Sequence, residues 1–172
     1  MKKLLVLTLV LGMASMASAG LVLTSADPAL DPTGATLPSS TMLTISSDSG
    51  ITGFEVAIQL EGPGALDAAD IIFPEDWMFA PYVKSADAIM VDVTGGDFFA
   101  KEGPLVVAEG IVLNCTDLGD VILTLIATGD NILDGVTYQA GTVFDTITIQ
   151  QIPEPMTLAL LGLGGLFLRR RK

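Results

Sequence analysis

The chain lacks histidine altogether and contains a single cysteine among its 172 residues. Without an imidazole, the most common general base, the Ser-His-Asp triad and histidine-ligated zinc are all excluded. One cysteine allows neither a disulfide within the chain nor a metal site built from CxxC motifs. The chain therefore lacks the side chains on which many catalytic and zinc-binding sites depend.

Positive charge is also scarce, and most of it lies at the two termini. The chain has 8 Lys and Arg against 20 Asp and Glu, a formal charge of −12. Residues 20–152 hold only Lys84 and Lys101 against 19 acids, which leaves −17 for this segment. Because nucleic-acid binding requires clustered Lys and Arg, we expect no nucleic-acid partner. The acidity favours solubility outside the cell and leaves divalent cations as candidate partners.

The abundance of acids raises the question of carboxylate catalysis. Glycoside hydrolases use two carboxylates that flank the bond they cleave. Glu75 and Asp76 are adjacent, and Asp67 and Asp70 are three residues apart. With so many acids such pairs arise by chance, so a solvated acidic surface is the alternative interpretation. We predict no enzyme activity and no catalytic residues.

The N-terminal segment, residues 1–19, has the three parts of a secretory signal peptide in order. Lys2 and Lys3 precede an apolar run, and small residues follow up to Ala17 and Ala19. An A-x-A pattern after an apolar run marks a cleavage site. We therefore predict export, with cleavage by signal peptidase after Ala19.

The C-terminal segment, residues 153–172, combines a proline motif, an apolar run and a basic end. The motif is Pro153, Glu154 and Pro155, and the basic tail is Arg169, Arg170, Arg171 and Lys172. Positive charges after an apolar run are typical of a transmembrane helix whose basic end stays in the cytoplasm. A helix over residues 156–168 would span about 20 Å, against a hydrocarbon core of about 30 Å. A short membrane anchor and a processing signal both fit this segment.

The order of these three parts resembles the PEP-CTERM sorting signal of Gram-negative bacteria. The resemblance covers residues 153–172. It implies recognition by an exosortase, a membrane cysteine protease similar to a transpeptidase, which releases the protein body or transfers it to the surface. It also implies an association with exopolysaccharide and biofilm matrix.

The segment between the two ends, residues 20–152, alternates apolar and polar residues with a period of two. The alternating runs are residues 42–45, 54–60, 89–93, 105–113, 121–127 and 146–149. They are rich in Val, Ile, Thr and Phe, which favour strands. Turns are predicted at Ser49-Gly50, Gly62-Pro63-Gly64, Gly95-Gly96-Asp97, Gly119-Asp120, Gly129-Asp130 and Asp134-Gly135. Short strands with such turns predict one antiparallel β-sandwich, with an edge strand at residues 21–23 and an irregular stretch over 24–40.

Residues 51–56, with the sequence Ile-Thr-Gly-Phe-Glu-Val, are similar to an early strand of cohesin-type domains. Residues 111–115 and 119–121 resemble sandwich domains of planctomycete PEP-CTERM proteins. The resemblance covers residues 41–150 and implies a binding or scaffold module. The predicted fold class is all-β: an antiparallel β-sandwich (jelly-roll or cohesin-like) flanked by an N-terminal signal helix and a C-terminal transmembrane helix.

An aromatic segment is the first candidate site within the sandwich. Trp77 is the only tryptophan, and Phe79 and Tyr82 follow it closely. Exposed aromatic rings are surfaces on which sugar rings stack, so these three residues are a candidate carbohydrate platform. The alternative is that Trp77 and Phe79 fill the core, because aromatic side chains bury large areas.

Two acidic loops are the second candidate site, for calcium. The candidate ligands are Asp117, Asp120, Asp130 and Asp134. An EF-hand loop starting at Asp130 is excluded, because its third position is Ile132 and its twelfth is Gly141. Mixed carboxylate and carbonyl ligation remains open beside ordinary Asp-Gly turns. No other cofactor is predicted.

The lone Cys115 lies at the end of a predicted strand, close to Asp117. A free thiol in an exported protein forms a cross-link between two chains or is a small buried hydrophobic group. No cation is near it in the sequence, so nothing predicts a reactive thiolate.

These features together predict a secreted protein of the cell surface or of the exopolysaccharide and biofilm matrix. Its non-catalytic sandwich would serve adhesion or assembly. The alternative is a cohesin-type or carbohydrate-binding module with one specific ligand. The predicted processing partners are signal peptidase and exosortase, and the predicted binding partners are exopolysaccharide or another surface protein. Membrane association is expected until the tail is processed.

Overall fold

This computed structural model describes residues 20–32, 34 and 37–152. Within these residues the chain forms twelve β-strands, in which apolar and polar side chains alternate. The predicted signal peptide and the C-terminal segment, with the two predicted flanking helices, lie outside the described residues. Within the described residues, no helix has the length and apolar character needed to cross a membrane.

The strands divide into two sheets. They are β1 (Leu21–Ser25), β2 (Ala29–Leu30), β3 (Ser40–Ser47), β4 (Ile51–Glu61), β5 (Gly64–Asp67), β6 (Phe79–Ala86), β7 (Met90–Lys101), β8 (Leu105–Cys115), β9 (Gly119–Ala127), β10 (Asn131–Leu133), β11 (Val136–Tyr138) and β12 (Val143–Gln151). The smaller sheet has the order β1-β3-β8-β5. In the larger sheet, one edge of β4 pairs with β10 near its start and with β9 along the rest, and the opposite edge pairs with β7. Beyond these neighbours lie β11 next to β10, β12 and then β2 next to β9, and β6 next to β7. Neighbouring strands are antiparallel except β2 and β12.

One core lies between the two sheets and explains the period of two. In β4, Phe54, Val56 and Ile58 are buried and face across the sandwich to residues such as Ile45 and Ile111 of the smaller sheet. Because successive strand residues point to opposite faces, every second residue faces this core, and these residues are the apolar ones. The predicted antiparallel β-sandwich is confirmed, and so is the edge strand at residues 21–23, which is part of β1.

A β-bulge in β8 depends on Gly110. Leu43 pairs with Ile111 and Thr44 pairs with Glu109, so Gly110 is the extra residue in the ladder. Its φ is +84°, and a Cβ there would lie 2.4 Å from the carbonyl oxygen of Asp70. A glycine is therefore required, because the position needs both a left-handed backbone and room for a neighbouring chain segment.

Asn131 joins β9 and β10 along the same side of β4. Its amide oxygen accepts a hydrogen bond from the Glu55 N–H (2.9 Å), and its amide nitrogen donates to the carbonyls of Glu55 and Gly129 (3.0 Å each). The side chain is fully buried. Between β9 and β10 the chain has no strand partner for Glu55 of β4. The Asn131 amide pairs with the N–H and the carbonyl of Glu55 instead, so these buried polar groups of β4 stay hydrogen-bonded.

The predicted turn at Gly95-Gly96-Asp97 is wrong, because these residues lie within β7. A Cβ on Gly95 would lie 2.7 Å from the Phe54 ring and 2.9 Å from Pro81. Here glycine permits close packing inside a strand rather than a change of chain direction. The sequence pattern also missed β6, whose side chains are mostly exposed because it is an edge strand, so it shows no alternation.

The two ends of the sandwich differ in what they hold. We call the end at which β12 finishes the tail end, because the chain continues there into its C-terminal segment. The amide of Gln151 contacts Pro63 and Cys115 at this end. The opposite end, the far end, holds the start of β4 and the finish of β7, which pair through Ile51 and Lys101.

Candidate functional site

Exposed aromatic and apolar side chains lie near the far end, on β6, on β7 and on the residue just before β6. This group, the aromatic corner, consists of Met78, Phe79, Tyr82, Phe98 and Phe99. Phe98 is 68% exposed and Phe99 is 78% exposed. The rings of Phe79 and Phe98 contact each other with centroids 4.9 Å apart and an interplanar angle of 70°. The corner therefore presents a wedge of two rings rather than a flat surface.

A long bulge in β7 brings Phe98 and Phe99 to the surface. Gly96 pairs with Gly53 and Lys101 pairs with Ile51, so residues 97–100 of β7 oppose the single residue Thr52 of β4. The extra residues project outwards, and the Asp97 carboxylate accepts hydrogen bonds from the N–H groups of Phe98 (2.7 Å) and Phe99 (3.4 Å). Bulges at sheet edges commonly redirect side chains at functional sites.

The candidate carbohydrate platform is divided by the fold. Trp77 is only 8% exposed, and its ring packs edge-on against Phe54 at 5.1 Å. It belongs to the core, and its indole N–H has no acceptor among the described residues. Phe79 and Tyr82 are exposed on β6, at 51% and 58%. Only these two members are open to a ligand, and the carbohydrate role stays a prediction.

The sequence pointed to Phe79 and Tyr82 but not to Phe98 and Phe99. A signal was present, because two consecutive aromatic residues in a strand point to opposite faces and cannot both enter the core. Gly96 also faces Phe79 across the two strands, with its missing Cβ position 3.9 Å from the Phe79 ring. An aromatic ring beside a cross-strand glycine is a recognised way to cover it.

Lys84 and Lys101, the two bases of the described residues, both lie on β6 and β7 and both are engaged. Lys84 donates a hydrogen bond to Glu55 in an ion pair, and this bond raises the pKa of Lys84 above its ordinary value. The Lys101 ammonium lies 5.4 Å from the centroid of the Trp77 ring, which is a cation–π distance. Each base therefore already has a partner within the described residues.

The outer edge of β6 is poorly suited to accept another strand. Pro81 has no N–H to donate, and Lys84 places a charge on the strand. Both features are common protection against strand addition at a sheet edge. A partner at the aromatic corner would therefore contact side chains rather than extend the sheet.

The four acidic residues of the calcium prediction do not meet in one site. Asp117 and Asp120 lie at the start of β9, whereas Asp130 and Asp134 follow its end. The Asp117 carboxylate accepts from the Leu118 N–H, and that of Asp134 accepts from the Gly50 N–H, both at 2.7 Å. In residues 20–32, 34 and 37–152, no three acidic or thiol side chains are arranged to hold a metal ion. Calcium at either loop stays a prediction.

Cys115 is half-buried at the tail end, and its thiol donates a hydrogen bond to the amide oxygen of Gln151 at 2.7 Å. The amide nitrogen of Gln151 donates to the Pro63 carbonyl. Burial, together with the nearby charge of Asp31, raises the pKa of the Cys115 thiol. The group is therefore a hydrogen-bonded neutral thiol at the point where β12 ends.

Comparison with known proteins identifies a C-terminal sorting motif and solved structures of similar fold. Residues 151–172 match the family described as the PEP-CTERM protein-sorting motif. No curated protein sequence matches the chain. A type I cohesin of ScaB from Pseudobacteroides cellulosolvens is 13% identical with a TM-score of 0.53, over 78% of this chain and 94% of that one.

Two further solved structures show the same likeness. A type III cohesin module of the ScaE scaffoldin from Ruminococcus flavefaciens is 9% identical, with a TM-score of 0.54, over 80% of this chain and 90% of that one. A collagen-binding domain of a Staphylococcus aureus adhesin is 12% identical, with a TM-score of 0.52, over 79% of this chain and 100% of that one. At such identities the likeness concerns the fold alone. The chain thus carries a PEP-CTERM sorting motif directly after a cohesin-like β-sandwich.

Proposed function

We propose that this protein is exported, sorted to the cell surface through its C-terminal motif, and acts there as a non-catalytic binding component in adhesion or matrix assembly. The observation that carries the proposal is the position of the motif. The matched segment begins at residue 151, the last residue of β12, so the sorting signal follows the folded sandwich without a linker. The sandwich is therefore the cargo that the signal delivers.

The kind of fold supports a binding role. Neither a sorting motif nor a cohesin-like sandwich is itself a catalytic element. One solved relative by fold is named as part of a cohesin–dockerin complex from Clostridium thermocellum, and another as a collagen-binding domain. Those activities belong to those proteins. For this chain they support a surface that recognises a partner, as the exposed aromatic corner also does.

The proposed route has two processing steps. Signal peptidase removes residues 1–19, and an exosortase acts on the C-terminal segment, with the membrane as the site of the second step. The mature domain then carries a formal charge of −17, which favours solubility outside the cell. Exopolysaccharide or another surface protein is the proposed partner.

Deleting residues 153–172 tests the sorting step. We expect the truncated protein to leave the cell envelope, while the full chain yields a body that starts at Gly20 and ends near Pro153–Pro155. Intact mass of the protein from envelope and medium measures both outcomes. Unchanged surface delivery of the truncated protein, or a mature mass that retains Arg169–Lys172, would contradict exosortase sorting.

A carbohydrate-binding module is the second candidate, because Phe79 and Tyr82 are both exposed on β6. It requires saturable binding to a polysaccharide that depends on these two rings. A panel of neutral polysaccharides tested against the wild-type protein and Tyr82→Ala measures this dependence. Equal or absent binding for the two proteins would remove this candidate.

A further inference from the structure

The aromatic corner exposes more apolar area than the fold requires. At about 200 Å² for each ring, the contacting pair Phe79 and Phe98 exposes about 240 Å² of apolar surface, and Phe99, next to Phe98 in the chain, exposes about 160 Å² more. Exposed apolar patches of a few hundred Å² on single-chain proteins are often functional. The area is about half of what one partner buries in a standard protein interface, so polar neighbours must complete the contact.

The polar neighbours of the corner are acidic. Asp97 lies within the bulge itself, Asp76 precedes buried Trp77, and Glu102 follows Lys101 in the chain. Both bases of the described residues are already engaged, with Glu55 and with the Trp77 ring. The Asp97 carboxylate therefore favours a positively charged partner group beside Phe98 and disfavours an anionic one.

The ring geometry favours inserted side chains over a flat sugar surface. Phe79 and Phe98 meet at 70°, so their faces do not form one plane. A partner side chain that enters beside Phe98 contacts ring faces and edges at once, and a Lys or Arg head next to it meets Asp97.

A second copy of the chain is a poor occupant. Each mature domain carries −17, so two copies repel each other, and the aromatic area alone is too small for a stable dimer. Pro81 and Lys84 also oppose pairing through the edge of β6.

The corner and the end of β12 lie at opposite ends of the sandwich, which also favours a partner other than the surface to which the tail is attached. Phe79 pairs with Gly96 near the far end, whereas Gln151 pairs with Gly119 at the tail end. Gly96 pairs with Gly53 of β4, and Gly119 lies three positions beyond Ile122, which pairs with Glu61 of β4. Along the strand direction Phe79 and Gln151 are therefore eleven residues apart, which is about 35 Å. A domain held by its tail would present the corner away from the attachment point.

We infer that the aromatic corner docks a segment of another protein in which apolar side chains are flanked by Lys or Arg. The inference rests on the proposed binding function and gives that function a site and a class of partner. It requires that Phe98 and Phe79 supply the apolar contact and that Asp97 supplies the charge.

Selection of displayed short random peptides on the full chain, purified in mild detergent, tests the inference. We expect enriched peptides in which Lys or Arg flanks aliphatic or aromatic residues. Phe98→Ser should weaken their binding at least about tenfold, since one buried aromatic ring is lost. Asp97→Asn keeps the oxygen that accepts from Phe98 and Phe99, so it should lower both the affinity and its dependence on salt.

The matched control is Ile72→Ser, which changes another exposed apolar residue, one whose backbone pairs with Glu109 of the smaller sheet rather than with β6 or β7. It should leave binding unchanged, and both serine variants should unfold like the wild type in urea because the altered side chains are exposed. Enrichment without basic residues, no enrichment, or equal binding by Phe98→Ser would overturn the inference. So would a dimer or polysaccharide binding that Phe98→Ser abolishes, because the occupant would then be different.

Failure of this inference is distinguishable from failure of the proposed function. Surface delivery and retention in the matrix are measured on cells that produce the wild type, Phe98→Ser or the chain without residues 153–172. If Phe98→Ser is retained like the wild type while tail deletion abolishes retention, the proposed function stands and the aromatic corner is not the binding site. Peptide binding at the corner with unchanged delivery of the truncated chain keeps the corner and rejects the sorting role.

Discussion

The tail end and the far end of the sandwich use their side chains in opposite ways. At the tail end, the buried amide of Gln151 is paired with Pro63 and Cys115, and β12 is held on both sides by β9 and β2. At the far end, aromatic rings are exposed and the indole N–H of Trp77 has no acceptor among the described residues. The tail end therefore pairs its buried polar groups next to the sorting motif, whereas the far end leaves aromatic side chains exposed to solvent.

The largest expected effect comes from a glycine at the tail end. Gly62 has a φ of +114°, and a Cβ there would lie 2.5 Å from the Asp120 carbonyl oxygen. Gly62→Ala should therefore lower the free energy of unfolding by about 3 kcal/mol, since strained backbone and a backbone clash add together. Urea unfolding measures the loss.

The matched control for this change lies at the far end. Gly135 also has a left-handed backbone, with φ +75°, but nothing lies within 4 Å of its missing Cβ. Gly135→Ala should cost about 1 kcal/mol, from the backbone conformation alone. Equal losses for the two variants would show that the tail end is no more tightly packed than the far end.

A smaller effect is expected from Gln151→Ala. The change removes the donor to Pro63 and the acceptor for Cys115 from a side chain that is 2% exposed. We expect a loss of about 2 kcal/mol in the free energy of unfolding, because buried polar groups are left unpaired. Gln150→Ala is the control, since its side chain is exposed and should matter little. If both variants unfold alike, the clamp at the end of β12 is not a source of stability.

The smallest effect concerns the Cys115 thiol and its pH dependence. Its pKa is raised by burial in the folded chain, so folding favours the protonated thiol. The corresponding stability is present below the ordinary thiol pKa and is lost as the pH rises through the folded value. The wild type should therefore lose slightly more stability than Cys115→Ser between neutral and strongly alkaline pH.

Alkylation of the same thiol gives an independent measure. At mildly alkaline pH, the folded protein should react more slowly than the urea-unfolded chain, because less thiolate is present. A folded thiol that reacts as fast as the unfolded one would contradict the raised pKa and the hydrogen bond to Gln151.

The larger part of the sandwich followed from the sequence. The alternation at residues 54–60 and 121–127 became the central strands β4 and β9, because a half-buried strand shows a period of two. β6 was missed because an edge strand exposed on both faces shows no such period. The sequence predicts a turn at Gly95-Gly96-Asp97 because glycine serves both turns and close packing, and only the approach of Phe54 and Pro81 distinguishes the two.

What the sequence determined by itself is local or compositional. The sorting motif is a short ordered pattern, the acidic charge is a sum over residues, and the strands follow a period of two. The tertiary structure alone decided that Trp77 is buried while Phe98 and Phe99 are exposed, and that the two acidic loops lie at opposite ends of β9. These outcomes depend on register, on a bulge opposite Thr52 and on contacts between residues distant in the chain, and such pairings are set by packing rather than by local sequence.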